Sequence, residues 1–133
     1  MILEIYIDGA CSGNPGPAGI GVAIKKDDIV VKEISRYIGE GTNNIAEYSA
    51  LICALKEALA MKADKVNIFT DSELVFKQVT GKYQIKNANL QNLCREALRL
   101  KKGIAEFSIA HIPREKNKIA DKLATSSIKE MKT

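Results

Sequence analysis

The amino-acid sequence predicts a mixed α/β domain: one five-stranded sheet, its first three strands antiparallel and the later ones parallel, flanked by helices. Three observations carry this. Three β-rich runs come early and close together, as in an antiparallel meander, with no room for a helix between them. The later β runs are separated by segments of helical periodicity, the pattern of parallel strands joined by right-handed crossovers. With 133 residues, 46% of them hydrophobic and 27% charged, the chain has enough material for one core and too little for two, so a single domain over 1–133 is expected.

The elements follow in order. Residues 2 to 8 form a first strand, an apolar and β-branched run that ends on Asp8. Gly19 to Lys25 and Ile29 to Ile34 are two further β runs joined at Lys26-Asp27-Asp28 as a hairpin. A helix begins near Thr42, where Thr42, Asn43 and Asn44 supply N-caps, and runs to about Lys62 with Tyr48, Leu51, Ile52, Leu55 and Leu59 as its core stripe. Val66 to Thr70 is a short strand, and a helix from Ser72 to about Thr80 stops at Gly81. The next helix, from about Asn89 to Lys101, turns Leu90, Leu93, Cys94, Ala97 and Leu98 inward and ends at Gly103. Glu106 to Ala110 is the last strand; a loop beyond Pro113 leads into a helix from about Asn117 to Lys129.

Composition narrows the function classes. No apolar stretch approaches the roughly 18 to 20 residues of a membrane span, and the N-terminus lacks the layout of a signal peptide, so an intracellular, cytoplasmic protein without a membrane partner is expected, as a monomer. Cys11, Cys53 and Cys94 are far apart, which indicates neither a zinc site nor a disulfide framework. Cys53 and Cys94 fall on two predicted helices and could pair if those helices pack together, an arrangement unusual outside hyperthermophiles. Net charge is +4, and it is concentrated: residues 72 to 103 hold seven cations against Glu73 and Glu96. Such a run is either a solvated helix face or a surface for phosphates.

Four carboxylates stand at boundaries between apolar and polar runs: Asp8, Glu47, Asp71 and Asp121. Singly, each has an ordinary explanation. Asp8 could bond its own turn, Asn44 and Glu47 have capping-box spacing, Asp71-Ser72 could cap the helix behind it, and Asp121 could complement a helix dipole. Together they suggest a site for Mg²⁺ or Mn²⁺, because hard oxygen ligands without histidine or cysteine partners suit those ions and not zinc. Converging carboxylates repel, which raises some pKa values unless cations neutralise them. Gly13, Gly16, Gly19 and Gly21 do not make a nucleotide loop: Pro15 and Pro17 interrupt them, a β run follows, and no Gly-Lys-Ser or Gly-Lys-Thr ending exists. The stretch reads as a hairpin turn beside Asp8. His111, the single histidine, precedes the loop that leads to Asp121, where a side chain titrating near neutral pH can move protons.

Taken together these segments resemble the ribonuclease H type I family over essentially the whole chain. Tyr6-Ile7-Asp8-Gly9 with Asn14-Pro15-Gly16 is similar to its first motif, Thr42-Asn43-Asn44-Ile45-Ala46-Glu47 to its Thr-Asn-Asn-x-x-Glu helix start, and Thr70-Asp71-Ser72 to its third. His111 to Asp121, with Asn117 between, is similar to the closing motif. The resemblance implies a ribonuclease H-like fold and hydrolysis of the RNA strand of RNA/DNA hybrids, with 5′-phosphate products. Asp8, Glu47, Asp71 and Asp121 would hold two divalent ions, one for the attacking water and one for the leaving 3′-oxygen. His111 would assist proton movement or product departure. Gly9, Cys11, Asn14 and Asn44 would contact the RNA strand, Thr42 and Asn43 a phosphate of the DNA strand, and Asn117 would support the site. The tryptophan-rich basic extension of the best-known bacterial members is missing: only Gly81-Lys82-Tyr83-Gln84-Ile85-Lys86 stands there, and Glu40 replaces an arginine that some members place near the DNA phosphate. Double-stranded RNA is a further candidate substrate, and a nucleic-acid-binding module with little hydrolysis is the alternative function.

Overall fold

The fold was analysed in a computed structural model, which describes residues 1–132. Strands β1 (Ile2–Cys11), β2 (Gly16–Lys26) and β3 (Ile29–Gly41) are followed by helix α1 (Asn43–Ala60), strand β4 (Lys65–Thr70), helices α2 (Glu73–Val79) and α3 (Ala88–Lys101), strand β5 (Glu106–His111), and helix α4 (Lys118–Lys132). A short 3₁₀ turn at Arg114–Lys116 precedes α4. The five strands form one sheet in the order β3-β2-β1-β4-β5. β1, β2 and β3 pair antiparallel, whereas β4 pairs parallel with both β1 and β5, as the spacing of the runs predicts.

Alternation along the strands decides what each face of the sheet receives. Leu3, Ile5 and Ile7 of β1, Ile20, Val22 and Ile24 of β2, and Val66 and Ile68 of β4 join one core with Tyr48, Leu51 and Leu55 of α1 and Leu90, Cys94 and Ala97 of α3. Inside it the Tyr48 hydroxyl donates to Gln78 Oε1 at 2.6 Å, which satisfies two polar groups that burial would otherwise make costly. The opposite face of β2 carries Gly19, Gly21 and Ala23, and there α4 lies against the sheet. A Cβ on Gly21 would stand 2.0 Å from the Ala120 carbonyl oxygen, and one on Gly19 would stand 1.8 Å from Ser127 Oγ. These glycines are strand positions that admit a helix, and not part of a turn.

The strand ends differ from expectation. β1 continues to Cys11, because Gly9, Ala10 and Cys11 pair with Ile20, Gly19 and Ala18, so Asp8 lies within the strand and the turn begins three residues later. β3 continues past Ile34 to Gly41 along the edge of the sheet, through a polar stretch whose pairing with β2 overrides weak β-propensity. Cys53 and Cys94 pack in the same core but are free thiols, with Cys53 Sγ instead 3.7 Å from Arg36 Nη1.

Gly21→Ala places a methyl group against the α4 backbone, so we expect a loss of about 1–3 kcal/mol or more in urea unfolding. A midpoint equal to that of the parent chain would show that α4 does not need this approach.

Candidate active site

Register brings the first two carboxylates together. Ile7 pairs with Thr70 across the parallel β1/β4 ladder, so the residues that follow them, Asp8 within β1 and Asp71 just past the end of β4, stand at the same level. Glu47 is added by α1, whose first turn crosses β1 closely: a Cβ on Gly9 would lie 2.5 Å from the Glu47 nitrogen. Asp121 is added by α4, which touches Gly21, the cross-strand partner of Asp8. Ligand oxygens of Asp8, Glu47 and Asp71 lie within 4.8 Å of one another. Asp121 lines the same cleft, about 740 Å³ in volume, and its Oδ1 is 3.6 Å from Arg114 Nη2.

Local hydrogen bonds remove most of the ordinary explanations. The N-cap of α1 is Thr42, whose Oγ1 accepts from Ile45 N at 3.2 Å, so Glu47 has no place in a capping box. Ser72 caps α2 by accepting from Val75 N at 3.2 Å, and that function is not Asp71's. Asp8 does accept from Gly9 N at 3.0 Å, but inside a strand, where it pairs with Gly21 of β2. Asp121 is in the first turn of α4, where its charge also suits the helix dipole.

The electrostatics are those of crowded anions. Burial, then the nearby Asp71 charge, pushes the Asp8 carboxyl up from 3.8 to about 7. Burial and the charges of Asp8 and Asp71 hold Glu47 well above its ordinary value. Glu47 Oε2 is buried without a hydrogen-bond partner, an acceptor with a vacant lone pair beside two other carboxylates. Hard oxygens gathered from separate elements, one of them unpartnered, fit a divalent cation of the Mg²⁺ or Mn²⁺ class.

The remaining predicted residues divide. Gly9, Cys11, Asn43 and Asn44 line the cleft. Asn14 and Thr42 are not among its lining residues: Asn14 Oδ1 accepts from Asn43 N at 3.0 Å, tying the β1–β2 turn to the start of α1. Asn117 is 1% exposed, and its Nδ2 donates to the Ile7 carbonyl at 2.8 Å and to Asp71 Oδ2 at 3.3 Å, which anchors the loop and orients Asp71. His111 is not brought to the carboxylates. Its backbone pairs with Thr70, next to Asp71, while its exposed ring stacks on Phe76 with centroids 6.1 Å apart. Two of the basic segment's seven cations are ion-paired locally, Lys77 with Glu73 at 2.8 Å and Arg99 with Glu96 at 2.6 Å. Sequence reasoning missed Arg114, Thr125 and Lys129, which also line the cleft; Asp121, Thr125 and Lys129 recur every four residues, a signal of one helix face.

A cleft whose carboxylates sit where parallel strands run side by side, under two helices, defines a protein equipped to hold hard divalent cations. A family model described as reverse transcriptase-like matches residues 6–127. The ribonuclease HI of Halobacterium salinarum is 41% identical over 127 residues, covering 95% of this chain and 64% of that protein. A crystal structure of RNase H1 from that archaeon superposes with a TM-score of 0.95 at 39% identity, covering 98% of this chain and 99% of that one. LC11-RNase H1, solved in complex with an RNA/DNA hybrid, gives a TM-score of 0.92 at 40% identity over 98% of this chain and 99% of its own. The chain belongs to the ribonuclease H family. It spans about two thirds of the length of the Halobacterium protein and 36% of a bifunctional protein of Mycobacterium tuberculosis that is 35% identical to it.

The raised carboxyls set a pH dependence. The folded Asp8 carboxyl keeps its proton to higher pH than the unfolded one, so the folded state binds more protons between 3.8 and about 7. Metal-free protein is therefore expected to lose stability as pH rises through that window, with the full cost of the ionised cluster present above it. Asp8→Asn should flatten the profile and raise metal-free stability at alkaline pH. Thermal unfolding with and without Mg²⁺ checks the same point, because the ion should raise Tm in the parent chain and much less in Asp8→Asn.

Proposed function

We propose that the chain is an endoribonuclease that hydrolyses the RNA strand of RNA/DNA hybrids, leaving 5′-phosphate ends, with two Mg²⁺ or Mn²⁺ ions held by Asp8, Glu47, Asp71 and Asp121. The observation that carries this reading is the carboxylate cluster with its unpartnered Glu47 oxygen, in a chain whose relatives are named ribonuclease H. When bound, such ions supply the positive charge that makes water a nucleophile near neutral pH and stabilises a departing oxygen.

The chain's own residues do the rest. Asp8 is held within a paired strand, and Asn117 orients Asp71 beside it. Asn43 and Asn44, exposed at the start of α1, offer amides to a strand lying in the cleft, with the backbone at Gly9 and the side of Cys11 opposite them. Amide donors and acceptors at this position can read 2′-hydroxyls, the groups that tell RNA from DNA. Asn14 and Thr42 act one step back by holding the Asn43–Asn44 turn. His111, next to Thr70 in the sheet, is assigned to carrying protons to or from the solvent side of the cleft, on its likeness to the family's loop histidine.

Labelled RNA/DNA, RNA/RNA and DNA/DNA duplexes incubated with Mg²⁺ or Mn²⁺ test the reading. Cutting of the RNA in the hybrid is expected, and cutting confined to DNA would overturn it. Asp8→Asn should lower the rate at least about a thousandfold, since several kcal/mol of charge stabilisation is removed and each ~1.4 kcal/mol is about tenfold. Asp8→Asn turning over as fast as the parent chain would mean that the reaction happens elsewhere.

A further inference from the structure

The cleft is longer than its carboxylate cluster, and its other wall is made by α4. Asp121, Thr125 and Lys129 all line it. A spacing of four residues puts them in one row on the helix, so the wall presents an acid, then a hydroxyl, then an ammonium group. Two cations line the cleft among the described residues, Arg114 and Lys129. Arg114 lies against Asp121 at 3.6 Å and belongs to the carboxylate end. Lys129 is exposed and takes part in none of the ion pairs formed among the described residues.

The backbone that carries Lys129 is held firmly. Ser127 and Ile128 just before it are buried, 3% and 6% exposed, and Ser127 Oγ rests where a side chain on Gly19 would otherwise stand. Eight residues of α-helix separate Asp121 from Lys129, about 12 Å along the axis at roughly 1.5 Å per residue. A duplex strand advances only about 3.4 Å along its axis per nucleotide, so a phosphate at Lys129 belongs to a different nucleotide from one at the carboxylates. Ser12, in the β1–β2 turn, lines the cleft as well.

We propose that Lys129 with Thr125 forms a phosphate subsite on α4, which holds the sugar-phosphate backbone of the nucleic acid about 12 Å along the helix from Asp121. The proposal rests on the reading of the chain as a nuclease of RNA/DNA hybrids, and it assigns a binding contact to a helix that otherwise only delivers Asp121. An ammonium and a hydroxyl are sequence-independent phosphate ligands, so the subsite positions the strand without reading bases.

The test separates this contact from cleavage. In the Asp8→Asn background with Mg²⁺, binding of a fluorescently labelled RNA/DNA hybrid is measured by anisotropy over a range of salt concentrations. Adding Lys129→Gln should weaken binding about three- to tenfold and lower the salt slope by about one phosphate. Lys122→Gln, an exposed lysine of the same helix outside the cleft, should change neither quantity. Shortening the hybrid stepwise from either end should abolish the effect of Lys129→Gln once the phosphate it meets is gone. An unchanged affinity and salt slope in the Lys129→Gln protein would overturn the subsite. Cleavage by the parent chain is scored separately, so failure of the subsite leaves the nuclease reading standing, and a parent chain that cuts no hybrid removes that reading by itself.

Discussion

Everything in the site depends on two places where a helix backbone meets the sheet without a side chain between them. At Gly9 the first turn of α1 comes so close to β1 that a single methyl group would collide with Ala46 and Glu47. At Gly21 the start of α4 does the same against β2. Both glycines border Asp8, one next to it in the chain and the other across the ladder. The close approaches therefore bring Glu47 and Asp121 to one cleft, from opposite faces of the sheet, while the β1/β4 register delivers Asp71. A helix packed at an ordinary side-chain distance would hold its carboxylate too far away to share an ion.

That convergence is electrostatically unfavourable by itself. Two carboxyls stand above their ordinary pKa values because burial and neighbouring anions both oppose ionisation, and one buried oxygen of Glu47 has no partner. The fold tolerates this because the surrounding structure is over-determined: a fully buried apolar layer on one side, α4 seated on glycines on the other, and Asn117 bonded to both Ile7 and Asp71. Strain of this kind clusters at functional sites, where a ligand relieves it.

Much of this was legible beforehand, for identifiable reasons. The apolar runs at Ile2 to Ile7 and Val66 to Thr70 and the stripe on α1 carry strong periodicity, so element types and order follow from them. The ends of β1 and β3 were less legible because glycines and small or charged residues interrupt Gly9-Ala10-Cys11 and Ser35 to Gly41, and it is pairing with β2 that makes them strands. Gly19 and Gly21 fall in a predicted β run, but nothing local reveals that a helix from the far end of the chain lies on them. His111 sits at the predicted strand end, but the ring's place on Phe76 comes from a contact between two separate elements.

The sequence alone determined the mixed α/β class and the order of elements, and it singled out four boundary carboxylates as candidates, because hydrophobic period and residue chemistry are local properties. Tertiary structure decided which groups share a cleft. It joined Asp8, Glu47 and Asp71 within 4.8 Å, bonded Asn14 and Thr42 to the start of α1, left His111 out of the cleft's lining and added Thr125 and Lys129 to its wall. The physical reason is that these relations depend on strand register and on how closely two helices can approach glycines more than twenty residues away from them in the chain, at Gly9, and about a hundred away, at Gly21.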